Sequence, residues 1–425
     1  MTDTGANLRP QNAMTVGDGG NGAETGGASP ASTLPGSSTN RIIQLLLTHA
    51  VLTQSELANE TGLSRSTVSN ILSSLVPTGL VVPAPVRTNR GRRSSGQPGR
   101  PRLAFQLRPE TGAVLGIDFH HTHFRVLLTN LARRVLAEST GPLSIDHSAE
   151  EALDASVKEV SRVLSRARIP KSQVLGVGVG IPGPIDSRTG YVTPSSVSPG
   201  WLGFDVRSEF EQRLQMPTVI DNDANLGALA ERRWGAGTLV DSFIYVRMDT
   251  GIGAGLVIEG RLVHGSSGAA GEIGHITLDE HGPVCRCGNR GCLETFVGSN
   301  ALLELLRPMF GSRLTVAKML SLAKDGDLRC RRVLADAGHL LGVGLADVAT
   351  MVNPDLFIIG GTLAEAGELM FDAIRQALIR NTVNLVHRDL RVVPSTLGHR
   401  AEVLGAVNLA LEQPRALEAV LALLR

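Results

Sequence analysis

Large apolar residues are too sparse to show any period over the first 40 residues. Gly, Ser, Thr, Asn and Pro dominate there, so residues 1–40 read as a disordered tail. At Arg41 the pattern changes. Ile42, Ile43, Leu46 and Leu47 place one apolar stripe on a helix over 41–48. Thr53 and Glu56 stand at capping-box spacing and open a second helix through Leu57 and Ala58. Gly62 supplies a turn, and Ser64 caps a third helix in which Val68, Ile71, Leu72 and Leu75 fall at i, i+3, i+4 and i+7. From Ala113 onward, short Val/Ile/Leu/Gly runs alternate with helical stretches, which predicts an α/β body. Strands are expected at 114–118, 124–130, 174–181, 218–221, 242–248, 255–259 and 356–360, and helices at 150–168, 222–234, 300–310, 328–352 and 366–380. No long-period repeat of the solenoid kind is visible.

The outer face of the third helix carries Arg65, Ser66, Thr67, Ser69, Asn70 and Ser73, short polar groups suited to base edges or phosphates. Helix, glycine turn and polar-faced helix describe a helix-turn-helix, and Leu80–Val82 followed by basic residues describes a wing. Charge supports this division. Residues 41–108 hold nine Arg against Glu56 and Glu60, a net of +7, whereas the whole chain of 425 residues has a net of only +1. A basic module is therefore joined to a mildly acidic body. Six of those arginines, Arg87, Arg90, Arg92, Arg93, Arg100 and Arg102, lie in a segment without acids. Within it, Gly99-Arg100-Pro101-Arg102 is narrow enough to enter a minor groove. Two other readings stay open: a three-helix protein-interaction domain, and a basic stretch that is only a solvated linker.

The near balance of charge excludes a packaging protein, and 42% apolar residues suffice for several cores, built from aliphatic side chains because only 3% are aromatic. The apolar runs fall short of the roughly 20 residues of a membrane span. No basic segment leads into an apolar stretch at the N-terminus, and four Cys make no disulfide framework, so a reducing cytoplasm is expected and no membrane partner.

The sharpest chemistry is Gly271-Glu272-Ile273-Gly274-His275 followed by Cys285-Arg286-Cys287-Gly288-Asn289-Arg290-Gly291-Cys292-Leu293-Glu294. His275, Cys285, Cys287 and Cys292 within eighteen residues fit a tetrahedral, structural zinc site, with His281 a rival fourth ligand. Cys330 lies apart and reads as an ordinary small side chain. Asn222-Asp223 reads either as a set of polar ligands at a strand end or as a helix cap.

Together with Asp118-Phe119-His120-His121-Thr122, Asn222-Asp223-Ala224-Asn225, Thr250-Gly251-Ile252-Gly253-Ala254-Gly255 and Gly360-Gly361, the zinc motif closely resembles the ROK family of repressors, open reading frames and sugar kinases. The resemblance spans roughly residues 40 to 411, and the helix-turn-helix matches the repressor branch. It implies a winged helix-turn-helix followed by a two-lobed, actin-like (sugar kinase, ribonuclease H-like) α/β body. The domains expected are a tail at 1–40, the winged helix at 41–86, a basic wing or linker at 87–110, lobe 1 at 111–236, lobe 2 with the zinc motif at 237–395, and a C-terminal helix at 396–425 returning to lobe 1. It also implies that Asn222, Asp223, Glu272, His275 and Glu294 bind a sugar or sugar phosphate. The basic helix-turn-helix makes operator DNA the expected partner, and a homodimer or homotetramer is expected because paired half-sites give specificity that one short helix lacks.

Asp223 stands at the position of the kinase base. The phosphate loops depart from the family pattern: His120-His121 replace the Gly-Gly of Asp-x-Gly-Gly-Thr, and Asp249 stands where kinases carry glycine. Imidazoles crowd a phosphate and a carboxylate repels it. Gly251, Gly253 and Gly255 remain. The expectation is a sugar-responsive regulator without kinase activity. A sugar kinase retaining a DNA-binding module, and a constitutive DNA-binding protein with an idle pocket, stay open. A second metal site at His120, His121 and His123 is disfavoured because neighbours on a strand face opposite ways. The segment Pro194-Ser195-Ser196-Val197-Ser198-Pro199-Gly200-Trp201 lacks an Asn that some sugar-binding relatives carry before Pro-Gly-Trp, which leaves the sugar unnamed.

Overall fold

The computed structural model describes residues 37–85, 103–142, 148–186, 190–192, 201 and 204–423. The described residues open with α1 (Ser38–His49), β1 (Leu52–Thr53), α2 (Gln54–Thr61) and α3 (Arg65–Leu75), followed by the hairpin β2 (Val81–Ala84) and β3 (Ala104–Leu107). Local signals set these boundaries. Thr53 and Glu56 form the reciprocal capping box of α2, Gly62 ends it at φ +69°, and Ser64 accepts from the Thr67 amide to start α3. Val68, Leu72 and Leu75 are buried, while Ile71 is half-buried. The hairpin pairs Val81 with Leu107 and Ala84 with Ala104, and β1 adds to β3 as a third strand. Arg87, Arg90, Arg92, Arg93, Arg100 and Arg102, between the two hairpin strands, lie outside the described residues.

Lobe 1 contains β4 (Ala113–Phe119), β5 (His123–Asn130), β6 (Val135–Pro142), α4 (Ala149–Ala167), β7 (Val174–Ile181), α5 (Val206–Leu214), β8 (Thr218–Asn222) and α6 (Asp223–Trp234). Lobe 2 contains β9 (Phe243–Met248), β10 (Ile252–Ile258), β11 (Arg261–Val263), α7 (Glu294–Val297), α8 (Ser299–Phe310), α9 (Val316–Lys324), α10 (Leu328–Val352), β12 (Leu356–Gly360), α11 (Glu368–Asn381), α12 (Asn384–His387) and β13 (Arg391–Pro394). The sheets, β6-β5-β4-β7-β8 and β11-β10-β9-β12-β13, share one topology: three antiparallel strands followed by two parallel ones. The 25-residue α10, expected as a helix from the sequence, is long and apolar enough to cross a membrane by length and composition alone. Here its buried face belongs to the lobe 2 core with α11, and Cys330 lies within it.

The last helices, α13 (Ala401–Glu412) and α14 (Pro414–Ala422), return to lobe 1. They share one core with the N-terminal module, in which Ile42, Leu46 and Leu72 pack with Val114, Leu127, Val403 and Val407. This explains why Leu45 is buried as well as the predicted stripe of α1: the helix is covered on two sides.

Candidate functional site

Gly288 and Gly291, at φ +91° and +62°, fold 285–292 back on itself, and a Cβ at Gly291 would fall 1.5 Å from the Asp279 carbonyl oxygen. The result gathers the ligand atoms of His275, Cys285, Cys287 and Cys292 within 4.8 Å of one another. Cys287 Sγ lies 3.6 Å from Cys292 Sγ, and Cys285 Sγ 3.5 Å from His275 Nδ1. Metal–sulfur bonds of about 2.3 Å give tetrahedron edges of about 3.8 Å, so this group could hold a metal ion. His281 is exposed and contacts Glu280 instead. Among the described residues this is the one group of at least three such ligands.

His275 joins the metal group to a set of carboxylates. Its Nδ1 lies 3.8 Å from Glu294 and its Nε2 3.7 Å from Glu272, while Arg286 Nε sits 3.2 Å from Glu294. Burial lifts the Glu272 carboxyl to about 7, with the Asp223 and Glu294 charges adding to it. Asn222 and Asp223 stand at the carboxyl end of β8, where a strand gives way to a helix N-terminus. Asn222 acts as the cap of α6: its Oδ1 accepts from the Ala224 and Asn225 amides, and its Nδ2 donates to the Gly183 carbonyl. Residues 193–200 lie outside the described residues, and Trp201 packs in the lobe 1 core against Phe119.

Beside the acids lies a feature the sequence reading missed. Arg247, on β9 and 5% exposed, extends its Nη1 to 2.7 Å from Asp223 Oδ2. Its Nη2 lies 3.3 Å from Asp249 and touches His120 Nδ1, and its Nε lies 3.4 Å from Glu402 of α13. His120 Nε2 in turn lies 2.6 Å from Asp118. Burial raises the Asp223 carboxyl to about 6, a rise that Arg247 limits and that Asp118 and Glu402 reinforce. Burial would raise Asp249 too, but His120 and Arg247 hold it at about 2. An arginine among the buried residues of an apolar strand, Phe-Ile-Tyr-Val-Arg-Met, was the signal that could have exposed this cluster.

His120 and His121 belong to the turn between β4 and β5, not to a strand, and His120 stacks on His123 with ring centroids 4.1 Å apart. His120, His123, Arg247, Asp249, Gly360 and Gly361 line a cavity of about 180 Å³. Gly255, read as part of a phosphate loop, lies within β10. A Cβ there would meet the Ala224 carbonyl oxygen at 2.5 Å, so its glycine lets β10 approach α6.

On the N-terminal module, Arg65, Ser66, Ser69, Asn70 and Ser73 of α3 are exposed and Thr67 is half-buried. Ser64 Oγ also contacts the hydroxyls of Ser66 and Thr67.

Residues 114–413 match the ROK family over most of the chain. The chain belongs to the ROK family. Ahead of that match, residues 33–85 match the IclR helix-turn-helix domain. The xylose repressor of Caldicellulosiruptor bescii is 28% identical to this ROK chain over 385 residues, covering 87% of the chain and 94% of the relative. Among solved structures, a ROK family transcriptional regulator described as a homolog of the E. coli MLC protein shares the fold, with a TM-score of 0.72 at 24% identity over 90% of this chain and 98% of its own. A ROK family glucokinase from Streptomyces griseus, solved with glucose and AMPPNP, aligns with a TM-score of 0.63 at 28% identity, over 71% of this chain and all of its own. The ROK body is thus common to proteins described as regulators and as kinases.

Arg247 is the counter-charge for Asp118, Asp223, Asp249 and Glu402 together. Arg247→Leu is expected to lower the unfolding free energy at pH 7.5 by about 3–5 kcal/mol, because buried carboxylates lose their partner. In the variant Asp223 and Glu402, whose carboxyls burial already raises, lose the charge that limits the rise and titrate at higher pH when folded than when unfolded. The deficit is therefore full above the folded values and shrinks as pH falls through them, starting above the value of about 6 that Asp223 has with Arg247 in place. Urea denaturation across pH 4.5–8 measures it; a loss under about 1 kcal/mol at pH 7.5 contradicts the assigned role.

Proposed function

We propose that this ROK protein is a cytoplasmic, sugar-responsive transcriptional repressor without kinase activity. Its winged helix binds operator DNA through Arg65, Ser66, Thr67, Ser69 and Asn70, with Arg87, Arg90, Arg92, Arg93, Arg100 and Arg102 on phosphates or in a minor groove. Its body binds a sugar or sugar phosphate through Asn222, Asp223, Glu272, His275 and Glu294. The observation that carries the reading is the union of a helix-turn-helix with a ROK body in a single apolar core, so that the state of the body bears on the DNA-binding module.

Loss of phosphoryl transfer is supported by charge and space. Asp223, the base position, is ion-paired to Arg247. A carboxylate acting as base must reach the sugar hydroxyl and accept its proton, and an ion pair at 2.7 Å opposes that. The neighbouring cavity of about 180 Å³ is small beside the roughly 300 Å³ and more of ligand pockets, and Asp249 places a negative charge in it. The second reading, a sugar kinase that retains a DNA-binding module, draws on the glucokinase similarity and on Asp223 itself.

Zinc is the metal we assign to His275, Cys285, Cys287 and Cys292, on the strength of three thiols, one imidazole and their spacing. With all four positions filled by protein, the ion would act as a structural node, orienting His275 beside Glu272 and Glu294. The chain would act as a homodimer or homotetramer, because two half-sites give specificity that one short helix lacks.

Asp223→Ala is expected to keep operator binding within about twofold and to abolish the sugar effect on it, since Arg247 retains Asp249 and Glu402 as partners. Fluorescence anisotropy on duplex DNA from the region upstream of its own gene, with a panel of sugars, measures both. A sugar response surviving in Asp223→Ala contradicts the pocket. Cys287→Ala is expected to lose bound zinc by elemental analysis and at least about tenfold in sugar affinity by calorimetry. Unchanged sugar affinity in the zinc-free variant contradicts the orienting role.

A further inference from the structure

Besides the basic stretch expected as a wing or linker at 87–110, a direct contact joins the DNA-binding module to the body in the described residues. Arg133 occupies the turn between β5 and β6 with φ +61°, and its amide donates to the Asn130 carbonyl. Its guanidinium crosses to the DNA-binding module, where Nη2 donates to the carbonyls of Leu47, at 2.6 Å, and Thr48. These carbonyls belong to the last turn of α1, which has no following helical amides to satisfy it. The same guanidinium lies 5.3 Å from the centroid of the Trp234 ring.

Trp234 is the last residue of α6, and Asp223 is the first, with Asn222 as its cap. A rod of twelve residues, about 18 Å long, therefore has the acids of the effector cleft at one end and the anchor of α1 at the other. Helix α13 runs beside it in the same direction. Near its start, Glu402 meets Arg247 Nε at 3.4 Å and accepts from the Tyr245 hydroxyl at 2.7 Å. At its end, the Glu412 carbonyl accepts from Gln44 of α1 at 3.4 Å. The two helices are in close register: a Cβ on Gly405 would fall 1.9 Å from the Leu226 carbonyl oxygen, so neither can slide without the other.

The joint is also incompletely satisfied. Arg133 Nε and Nη1 are buried without a hydrogen-bond partner among the described residues. Two buried donors left unmet cost free energy, and a small shift of α6 that re-aims the guanidinium changes the seating of α1.

We propose that the α6–α13 pair carries the state of the effector cleft to the DNA-binding module, with Arg133 as the positioning residue that holds α1 to Trp234. The proposal rests on the sugar-responsive reading for its biological meaning, but its physical content does not need a sugar. Loss of the cap at Asn222 tilts or loosens α6; Trp234 moves with it; Arg133 then meets the α1 carbonyls differently, and the angle of α3 to the body follows.

The test uses the full chain, without DNA. Hydrogen exchange read by mass spectrometry follows the amides of residues 42–49 in wild type, Asn222→Ala, Arg133→Met and the double variant. Asn222→Ala removes the acceptor for two amides at the far end of α6, and exchange over 42–49 is expected to rise about fivefold in the presence of Arg133. In the Arg133→Met background the same change is expected to leave 42–49 unmoved. Met tolerates the left-handed turn no worse than Arg, so the comparison isolates the guanidinium. Should Arg133→Met release the module altogether, Arg133→Lys and Trp234→Leu replace it, and each is expected to reduce the response to Asn222→Ala by at least half. Unchanged exchange over 42–49 in Asn222→Ala, or the same fold-change with and without Arg133, overturns the proposal.

A second arm separates its failure from that of the functional reading. Wild type and Arg133→Lys are titrated onto upstream DNA with D-xylose, D-glucose or N-acetyl-D-glucosamine. Equal sugar-induced release by both proteins overturns the coupling and leaves the sugar response standing. Exchange coupling without any effect of a sugar on wild-type DNA binding supports the coupling and removes the sugar response.

Discussion

One guanidinium decides what the cleft of this protein can do. Arg247 lies in a dry strand and faces Asp118, Asp223, Asp249 and Glu402, contributed by elements of both lobes and by the returning helix α13. Four carboxylates brought this close without a cation would take up protons or force the lobes apart, since the cost of burying charge far exceeds the cost of protonation. Arg247 makes the arrangement possible and at the same time commits it. The carboxylate that a kinase would use on a sugar hydroxyl is paired, and His120, Arg247 and Asp249 line the space beside it. In the proposed reading Asn222, Asp223, Glu272, His275 and Glu294 need only hold a sugar, not activate it.

The second constraint is the shared core under the DNA-binding module. A module joined by a linker alone would turn freely, and ligand binding in the body would have no means of biasing it. Here α1 is covered by α13 and α14, and Arg133 reaches from the body to its last carbonyls. The C-terminal segment does double duty: α13 brings Glu402 to the cleft and Glu412 to α1, so the chain's last helices tie its first helix to its central site.

Much of this was legible beforehand where local chemistry sets the outcome. The capping box at Thr53 and Glu56, the turn at Gly62 and the cap at Ser64 fix the helix-turn-helix within a few residues of the chain, and the thiols of 285–292 need little beyond two glycines to converge with His275. The strands 174–181 and 356–360 and the helix 328–352 also fall where expected, because continuous aliphatic runs and an uninterrupted helical period leave no rival state. What depends on distant packing was not legible. The edge strand β6 has Val135 and Leu136 exposed and carries no alternating signal, and the duplicated sheet topology leaves no sequence repeat because each lobe fills its core with different side chains. Arg247 escaped notice because periodicity counts apolar positions, and its partners lie 24, 2 and 155 residues away at Asp223, Asp249 and Glu402. Asn222 serves as the cap that elementary helix chemistry predicts, and any role with a sugar must be compatible with that cap.

The central question for this protein is whether it senses a sugar without phosphorylating it. The most direct measurement is anisotropy of labelled upstream DNA bound to the metal-loaded protein, titrated with each sugar in the presence of magnesium and ATP while ADP formation is followed in the same cuvette. The account predicts that one sugar weakens DNA binding about tenfold or more with no ADP formed above the protein-free rate. Sugar-dependent release of ADP would contradict it, and would mean that Asp223 leaves Arg247 and acts as a base after all.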